Sequence, residues 1–166
     1  MFKIGDKIVY PMHGAGIIDS VQTKEFLGEE KEYFILKMPI GNMDISIPKA
    51  NINKMNIRDV ISKKEGEEIL AILEEDPKDL NSNWNLRYRE NQEILKTGDI
   101  FKIAVMVRDL VALDDDKGLS TTEKKLLNRA RRIMASELVM SGSLEKDEAE
   151  KMIDEILEKF PQHKRV

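Results

Sequence analysis

The 166-residue chain contains no cysteine, two histidines and a single tryptophan. No uninterrupted apolar run approaches the length of a membrane span. The absence of cysteine excludes disulfides and thiolate chemistry and is compatible with a reducing cytosol. His13 and His163 stand far apart, so no zinc site and no nucleophile–base pair is visible. The N-terminus lacks the apolar segment of a signal peptide. We therefore expect a cytoplasmic protein that is not an enzyme and has no cofactor, metal, membrane partner or small-molecule substrate.

Two short segments imitate ligand-binding motifs. Gly14-Ala15-Gly16 is not followed by the Gly-Lys-Ser/Thr of a phosphate loop, and the expected context is strand to strand. Asp114-Asp115-Asp116-Lys117-Gly118 resembles a calcium loop, but its glycine comes one place too early and Lys125 stands where the last carboxylate ligand belongs. The second segment therefore predicts the C-terminus of a helix.

Residues 1–56 have the composition of a β module. Gly14-Ala15-Gly16 predicts a turn or a close approach of two backbones. β-branched and aromatic residues, interrupted by Pro and Gly, predict four short strands, at Lys7–Tyr10, Ile17–Gln22, Glu32–Lys37 and Met43–Pro48. Short strands with short connections predict a small, strongly curved antiparallel barrel.

Residues 57–166 have a helical pattern, so the predicted fold class is α+β with a division after residue 56. Ser120-Thr121-Thr122-Glu123 has the pattern of a capping box. The helix that follows Asp99 is apolar nearly all round, which is typical of a central, buried helix. About five helices are expected, at Ser62–Glu75, Asn83–Lys96, Asp99–Gly118, Ser120–Met140 and Leu144–Phe160.

The tryptophan lies in the segment Asn83-Trp84-Asn85-Leu86-Arg87-Tyr88-Arg89. Asn83 is a suitable N-cap, which places Trp84 in the first turn of a helix. Trp84, Tyr88 and Leu95 fall near one helical face, and that spacing by itself favours a core tryptophan. A helix start also protrudes, so the indole could instead reach out of the fold.

Positive charge is concentrated on one predicted helix, although the net charge of the chain is −4. Residues 120–140 hold five Lys/Arg against two Asp/Glu. Lys125, Arg129 and Arg132 share one face opposite the apolar stripe, with Lys124 and Arg131 beside them. This face is either a solvated surface or a surface that contacts phosphates. With this net charge, any nucleic acid would be bound through a local patch.

The chain resembles the CarD/CdnL family of bacterial transcription regulators from residue 2 to about 160. The N-terminal motif is shared with the polymerase-interaction domain of the transcription-repair coupling factor, and the Trp-containing helical part distinguishes the two. The residues that carry the resemblance are Phe2–Gly16, Glu32-Tyr33, Leu36-Lys37, Asn83-Trp84, Arg87-Tyr88, Gly98-Asp99, Val107–Leu110, Gly118–Ser120 and Glu123-Lys124.

The resemblance implies a fold, two partners and two sets of contact residues. The first module would be a Tudor-like (SH3-like) barrel that docks on the β subunit of bacterial RNA polymerase. The second would lie against promoter DNA at the upstream edge of the melted −10 region, where Trp84 would wedge into the minor groove and hinder bubble closure. The expected DNA-binding residues are Trp84, Arg87, Arg89, Lys124, Lys125, Arg129 and Arg132, of which Arg89 and Lys124 match family positions best.

The expected polymerase contacts are Lys24, Ile45, Ser46 and Ile47. Some relatives carry Arg at the positions of Lys24 and Ser46. Lys24 keeps the positive charge, whereas Ser46 does not, and this departure weakens the match at the docking surface. We expect the strand edge at Ile45–Ile47, together with Lys24, to form part of the contact.

Two alternatives remain at the level of sequence. The first is a stand-alone architectural protein that binds the minor groove with the same Trp wedge; the net charge of −4 argues against it. The second is a Tudor-type module that recognises peptides with an aromatic cage built from Tyr10, Phe26, Tyr33 and Phe34. Neither promoter identity nor the choice between activation and repression follows from the sequence.

Overall fold

The computed structural model describes residues 1–159 of the chain. An antiparallel five-stranded sheet, in the order β4-β3-β2-β1-β5, precedes five α-helices, and a short 3₁₀ helix stands before the last strand. Phe160, predicted on the stripe of the last helix, and His163 lie outside the described residues. The elements are β1 Lys7–Tyr10, β2 Gly14–Phe26, β3 Glu29–Lys37, β4 Asp44–Pro48, the 3₁₀ helix Lys49–Lys54, β5 Arg58–Asp59, α1 Lys63–Glu74, α2 Trp84–Thr97, α3 Ile100–Asp116, α4 Thr121–Met140 and α5 Ala149–Glu158.

The fold class is α+β, as predicted, but the sheet is open. β4 pairs with β3 and the two-residue β5 pairs with β1, so these strands form the two edges. The predicted closed barrel is therefore not confirmed. The sheet does bend, because the β2–β3 register shifts between Ile18 and Ser20, and an extra residue in one strand kinks and twists it.

Strand β2 begins earlier than predicted, at Gly14 rather than Ile17. Gly14 pairs with Tyr10, so the chain turns at residues 11–13 and the glycines lie inside the strand. A Cβ atom on Gly14 would lie 2.7 Å from Ser136 Oγ on α4, and one on Gly16 would lie 2.5 Å from the Lys37 carbonyl oxygen. The expectation that backbones approach closely at this segment is confirmed.

The two parts of the chain have separate cores. The inner face of the sheet packs its buried side chains against the 3₁₀ helix. The helical core surrounds α3, which is the predicted central helix. The sheet core consists of Ile8, Ile18, Phe34, Leu36, Met38, Ile47 and Ile52.

The starts of α2, α3 and α4 follow the predicted caps. Asn83, Asp99 and Ser120 accept backbone N–H bonds at the starts of α2, α3 and α4, and Gly98 ends α2 with φ +70°. Helix α5 begins at Ala149 rather than Leu144. Residues 145–148 form an exposed turn instead; Leu144 packs against the helical core before it, and Ala149 is the first buried residue after it.

The sheet and the helices contact each other directly. Ala15 N donates to Ser136 Oγ at 2.9 Å. Arg58 donates from both terminal nitrogens to the Glu137 carboxylate, each at 2.7 Å, and also to the Gly98 carbonyl. The division of the chain after residue 56 remains a prediction. Within residues 1–159, no helix has the length and apolar character needed to cross a membrane.

Candidate functional site

Trp84 lies on the surface. It is the first residue of α2, and 46% of it is exposed to solvent. Tyr88, one turn later, is half-buried against the helical core, and Leu95 is fully buried. Of the residues that the spacing places on one helical face, Tyr88 and Leu95 therefore contact the helical core, whereas the indole of Trp84 extends beyond that core.

The start of α2 is held in place by its own polar side chains. Asn83 Oδ1 accepts from the backbone N–H groups of Asn85 and Leu86, which satisfies two of the unpaired donors of the first turn. Asn83 N in turn donates to Asn81 Oδ1 at 2.9 Å. The tryptophan therefore stands on a capped helix end rather than on an irregular loop.

Arg87 is placed differently from the expectation that it contacts DNA. Its guanidinium donates to both carboxylate oxygens of Glu123, at 2.7 and 2.6 Å, and to the Asn81 carbonyl. The side chain is 10% exposed and that of Glu123 is 1% exposed. The hydrogen bond to Glu123 raises the pKa of Arg87 above its usual value, against the opposing effect of desolvation. Arg87 thus joins the first turns of α2 and α4 instead of facing solvent.

This ion pair also changes the start of α4. Ser120 Oγ accepts from Glu123 N, which is one half of the predicted capping box. The Glu123 carboxylate is engaged by Arg87, so the reciprocal half is replaced by the contact with α2. A complete capping box stands instead at the start of α1, between Ser62 and Glu65.

The remaining predicted DNA-contacting side chains are exposed. Arg89 lies on α2, and Lys124 and Lys125 directly follow the buried Glu123, so the ion pair places them at the same end of the helical part as Trp84. Arg132 lies two turns further along α4. An exposed indole at the same end of the helical part as exposed cations can contact a base step and the phosphates next to it.

Arg129 lies between the two parts of the chain. Its Nε donates to the Met12 carbonyl in the β1–β2 turn at 3.1 Å. The ring of the neighbouring His13 contacts that of Tyr10 at a tilt of 40°, with ring centroids 4.3 Å apart. Burial lowers the pKa of His13 below its usual value, and the charge of Arg129 lowers it further. Arg129 therefore combines a surface position with a contact that links α4 to the sheet.

The predicted docking residues lie together at the β4 edge. Lys24 Nζ donates to Ser46 Oγ at 2.7 Å and lies 5.5 Å from the centre of the Tyr33 ring. Ser46 is exposed, whereas Ile47 is fully buried and Ile45 packs against the sheet core. Only Lys24 and Ser46 thus present side chains outward, and Ile45 and Ile47 can contribute through the backbone of the edge strand.

The structure does not assemble the aromatic cage. Phe34 faces the sheet core, and its neighbour Tyr33 faces the opposite side because successive strand residues alternate. Phe26 lies at the tip of the β2–β3 hairpin, and Tyr10 contacts His13. The peptide-recognition alternative loses the group of side chains on which it depended.

The aspartates at the end of α3 form part of a helix terminus, as predicted. Asp114 Oδ1 accepts from Leu119 N at 2.9 Å, and Gly118 has φ +81°. Across residues 1–159, no group of three or more acidic or histidine side chains is arranged to hold a metal ion.

Sequence reasoning cited Arg108 and Asp109 only as part of the resemblance and missed that they support the loop before Trp84. Asp109 Oδ1 accepts from Lys78 N at 3.0 Å, and the buried Arg108 bonds to Asp109, to the Ile72 carbonyl and to Glu75. An adjacent Arg and Asp within an otherwise apolar helix are a detectable signal, because buried charges need partners. These bonds fix the segment that leads from α1 to Trp84.

Comparisons with known proteins identify the family of the chain. Residues 2–61 match the CarD-like/TRCF RID domain, and residues 68–154 match the C-terminal domain of CarD. The chain is 43% identical over 147 residues to "Putative transcription factor YdeB" of Bacillus subtilis (strain 168), which covers 88% of this chain and 96% of that protein. A CarD-like domain of the polymerase-interacting type thus precedes the domain that carries the exposed tryptophan, and the chain belongs to the CarD/CdnL family of transcription factors.

Proposed function

We propose that the protein docks on the β subunit of RNA polymerase and stabilises the promoter open complex by inserting Trp84 at the upstream edge of the −10 bubble. The observation that carries the proposal is the exposure of Trp84 on a capped helix end. Burial of the indole would have left no wedge. The proposal assigns the protein to a bacterial cytoplasm, where RNA polymerase brings it to the nucleoid.

The wedge acts through a difference in affinity. Unstacking a base step costs roughly a few kcal/mol, and stacking a base on an aromatic ring returns about 1–3 kcal/mol. A protein that binds the opened junction better than closed duplex shifts the equilibrium by only that difference. Arg89, Lys124, Lys125, Arg129 and Arg132 would hold the phosphates around it, and Arg87 would maintain the position of α2.

Docking would use the edge strand β4. Its outer backbone groups face away from β3, and an added strand from a partner could pair with them. Lys24 and Ser46 would provide the side-chain contacts at this edge. Delivery by a partner suits a chain of net charge −4, because intrinsic attraction to DNA is weak.

Trp84→Ala tests the wedge. We expect the native protein to prolong the lifetime of the open complex formed by the cognate polymerase, and Trp84→Ala to shorten that lifetime roughly fivefold or more, the equivalent of about 1 kcal/mol of stacking. Trp84→Phe should retain part of the effect. The fold should change little, because the side chain is half exposed.

Polymerase binding measured in parallel provides the control. Trp84→Ala should bind polymerase as the native protein does, since the β4 edge is unchanged. Equal open-complex lifetimes with native protein and Trp84→Ala would remove the wedge from the proposal. DNA binding by the isolated native protein that persists at physiological salt would instead favour the stand-alone architectural protein.

A further inference from the structure

The β2–β3 hairpin extends beyond the rest of the sheet. β1 pairs with β2 only as far as Ile17, and β4 pairs with β3 only from Tyr33 onward. Among residues 1–159, the segment Thr23–Glu32 therefore forms strand pairs only with itself. All its residues are exposed. We refer to this two-stranded projection, Thr23–Glu32, as the hairpin arm.

The tip of the hairpin arm is apolar, and the fold makes no use of it. Leu27 is 87% exposed and Phe26 is 61% exposed. Leu27 also has φ +52°, and Gly28 after it has φ +80°. This turn conformation favours Asn or Asp followed by Gly, and a leucine there is strained. Leucine at residue 27 therefore contributes neither core packing nor favourable turn geometry.

Acidic side chains surround the tip. Glu25 lies directly opposite Glu30 in the ladder, and Phe26 lies opposite Glu29. Lys24 likewise lies opposite Lys31. Like charges directly opposite each other destabilise a strand pair. The hairpin arm thus carries unfavourable charge pairs as well as an unfavourable turn residue, and both are costs that a partner could offset.

The charges select the chemistry of that partner. Carboxylates beside an apolar tip repel DNA phosphates and anionic lipid headgroups, and they attract a surface rich in Lys or Arg. The arm also continues directly from the candidate docking edge. Lys24 belongs to the arm and bonds to Ser46 on β4, so a partner on this edge would lie next to the arm.

We propose that the tip of the hairpin arm is a second docking element, in which Leu27 and Phe26 enter an apolar pocket rimmed by basic side chains on the RNA polymerase that binds the β4 edge. The inference rests on the proposed function. Glu25, Glu29 and Glu30 face the basic rim. The strained tip thus contacts the polymerase in addition to the contacts of Lys24 and Ser46.

Leu27→Asn separates binding from folding. Asn tolerates the left-handed conformation, so this variant should melt at the same or a higher temperature than the native protein. Its affinity for cognate polymerase, measured without promoter DNA, should fall about tenfold or more, as expected for the loss of one buried leucine. Met152→Gln, which removes a similarly apolar side chain from the surface of α5, should leave the affinity unchanged.

Glu30→Lys tests the charge. It turns the Glu25–Glu30 pair into an attractive one, so it should not lower the melting temperature. It should weaken polymerase binding and make the affinity less dependent on salt, because the acidic rim is reduced.

Each contrary result has a distinct meaning. If the affinity of Leu27→Asn for polymerase is within twofold of that of the native protein, the role of the tip is overturned, and docking through β4 is unaffected. A native protein without measurable polymerase binding overturns both proposals. Lower melting temperatures for both variants would show that the hairpin arm supports the fold. If the native protein is a dimer that Leu27→Asn converts to a monomer, the partner of the tip is a second copy of this chain. Either result overturns the assignment to polymerase.

Discussion

At the scale of single residues, the Arg87–Glu123 pair determines how the candidate DNA surface is built. Both side chains are buried, and each satisfies the charge of the other through two short hydrogen bonds. Removing one partner of a buried pair leaves an uncompensated charge, which costs far more than the pair contributes. Because of this pair, two arginines that are two positions apart have different roles. Arg87 is buried and positions α2, whereas Arg89 is exposed.

We expect Arg87→Ala to lower the free energy of unfolding by about 3–5 kcal/mol, because Glu123 is left buried and unpaired. Arg89→Ala should change it by about 0.5 kcal/mol or less, because Arg89 is exposed. Urea denaturation measures both. The double variant Arg87→Met/Glu123→Leu should be more stable than Arg87→Ala. If Arg87→Ala left the free energy of unfolding unchanged and reduced promoter binding as strongly as Arg89→Ala does, Arg87 would return to the set of DNA contacts.

At the scale of secondary structure elements, α1 depends on a glycine that packs against the end of α4. A Cβ atom on Gly66 would lie 1.9 Å from Ser143 Oγ and 2.9 Å from Ser143 Cβ. Rotation of the hydroxyl would not clear the second contact. Helix α1 and the segment that follows α4 can approach this closely only because residue 66 lacks a side chain.

Gly66→Ala should therefore destabilise the protein by about 1–3 kcal/mol. In an unobstructed helix the same change would stabilise by about 1 kcal/mol, so the sign of the effect is diagnostic. Thermal unfolding monitored by circular dichroism gives the measurement. Glu67→Ala, at the exposed neighbouring position, is the matched control and should be nearly neutral. Stabilisation by Gly66→Ala would contradict the close approach.

Elements with local signals were the ones that the sequence predicted well. Asn83, Gly98 and Asp99 act through bonds to neighbouring residues, so the bounds of α2 and the start of α3 follow from local chemistry. The start of β2 at Gly14 is set by pairing with Tyr10 in β1, and α5 begins at Ala149 without a side-chain cap. Neither start has a capping residue that marks it in the sequence, and both were misplaced.

The candidate site was predictable in a similar, partial way. Helix spacing identified the exposed face of Lys125, Arg129 and Arg132, because position around a helix follows from sequence alone. It could not show that Arg87 meets Glu123, since this contact joins residues 36 positions apart. The same limit applies to Trp84: its helix position was predictable, but its exposure depends on where Tyr88 and Leu95 meet the core.

At the scale of the whole molecule, Arg58 and Glu137 join the sheet to the helices. Glu137 is 1% exposed, and its carboxylate also accepts from the Ile61 backbone, next to the start of α1. Arg58 belongs to β5 and reaches the Gly98 carbonyl between α2 and α3. One ion pair therefore contacts the edge of the sheet, the segment before α1 and the junction of two further helices.

We expect Arg58→Ala to cost about 3 kcal/mol and to separate the unfolding of the two parts. In the native protein, hydrogen exchange of the β2–β3 amides and helix loss by circular dichroism should give coincident transitions in urea. In Arg58→Ala the sheet amides should exchange before the helices unfold. Lys49→Ala, which removes an exposed ion pair within the sheet region, should cost less than about 1 kcal/mol and leave the transitions coincident.

The direct contact of β2 with α4 at Gly14 and Ser136 determines when the sheet and the helices lose their freedom to reorient relative to each other. Two domains on a flexible linker lose orientational freedom when the second one binds, and the linker length then sets the effective concentration. Here that freedom is already lost when the chain folds. Under the proposed function, docking of the sheet presents an indole whose orientation is fixed in advance, and no conformational search follows. Inserting flexible residues between β5 and α1 and loosening the Gly14 contact would therefore weaken the wedge while leaving both binding surfaces unchanged.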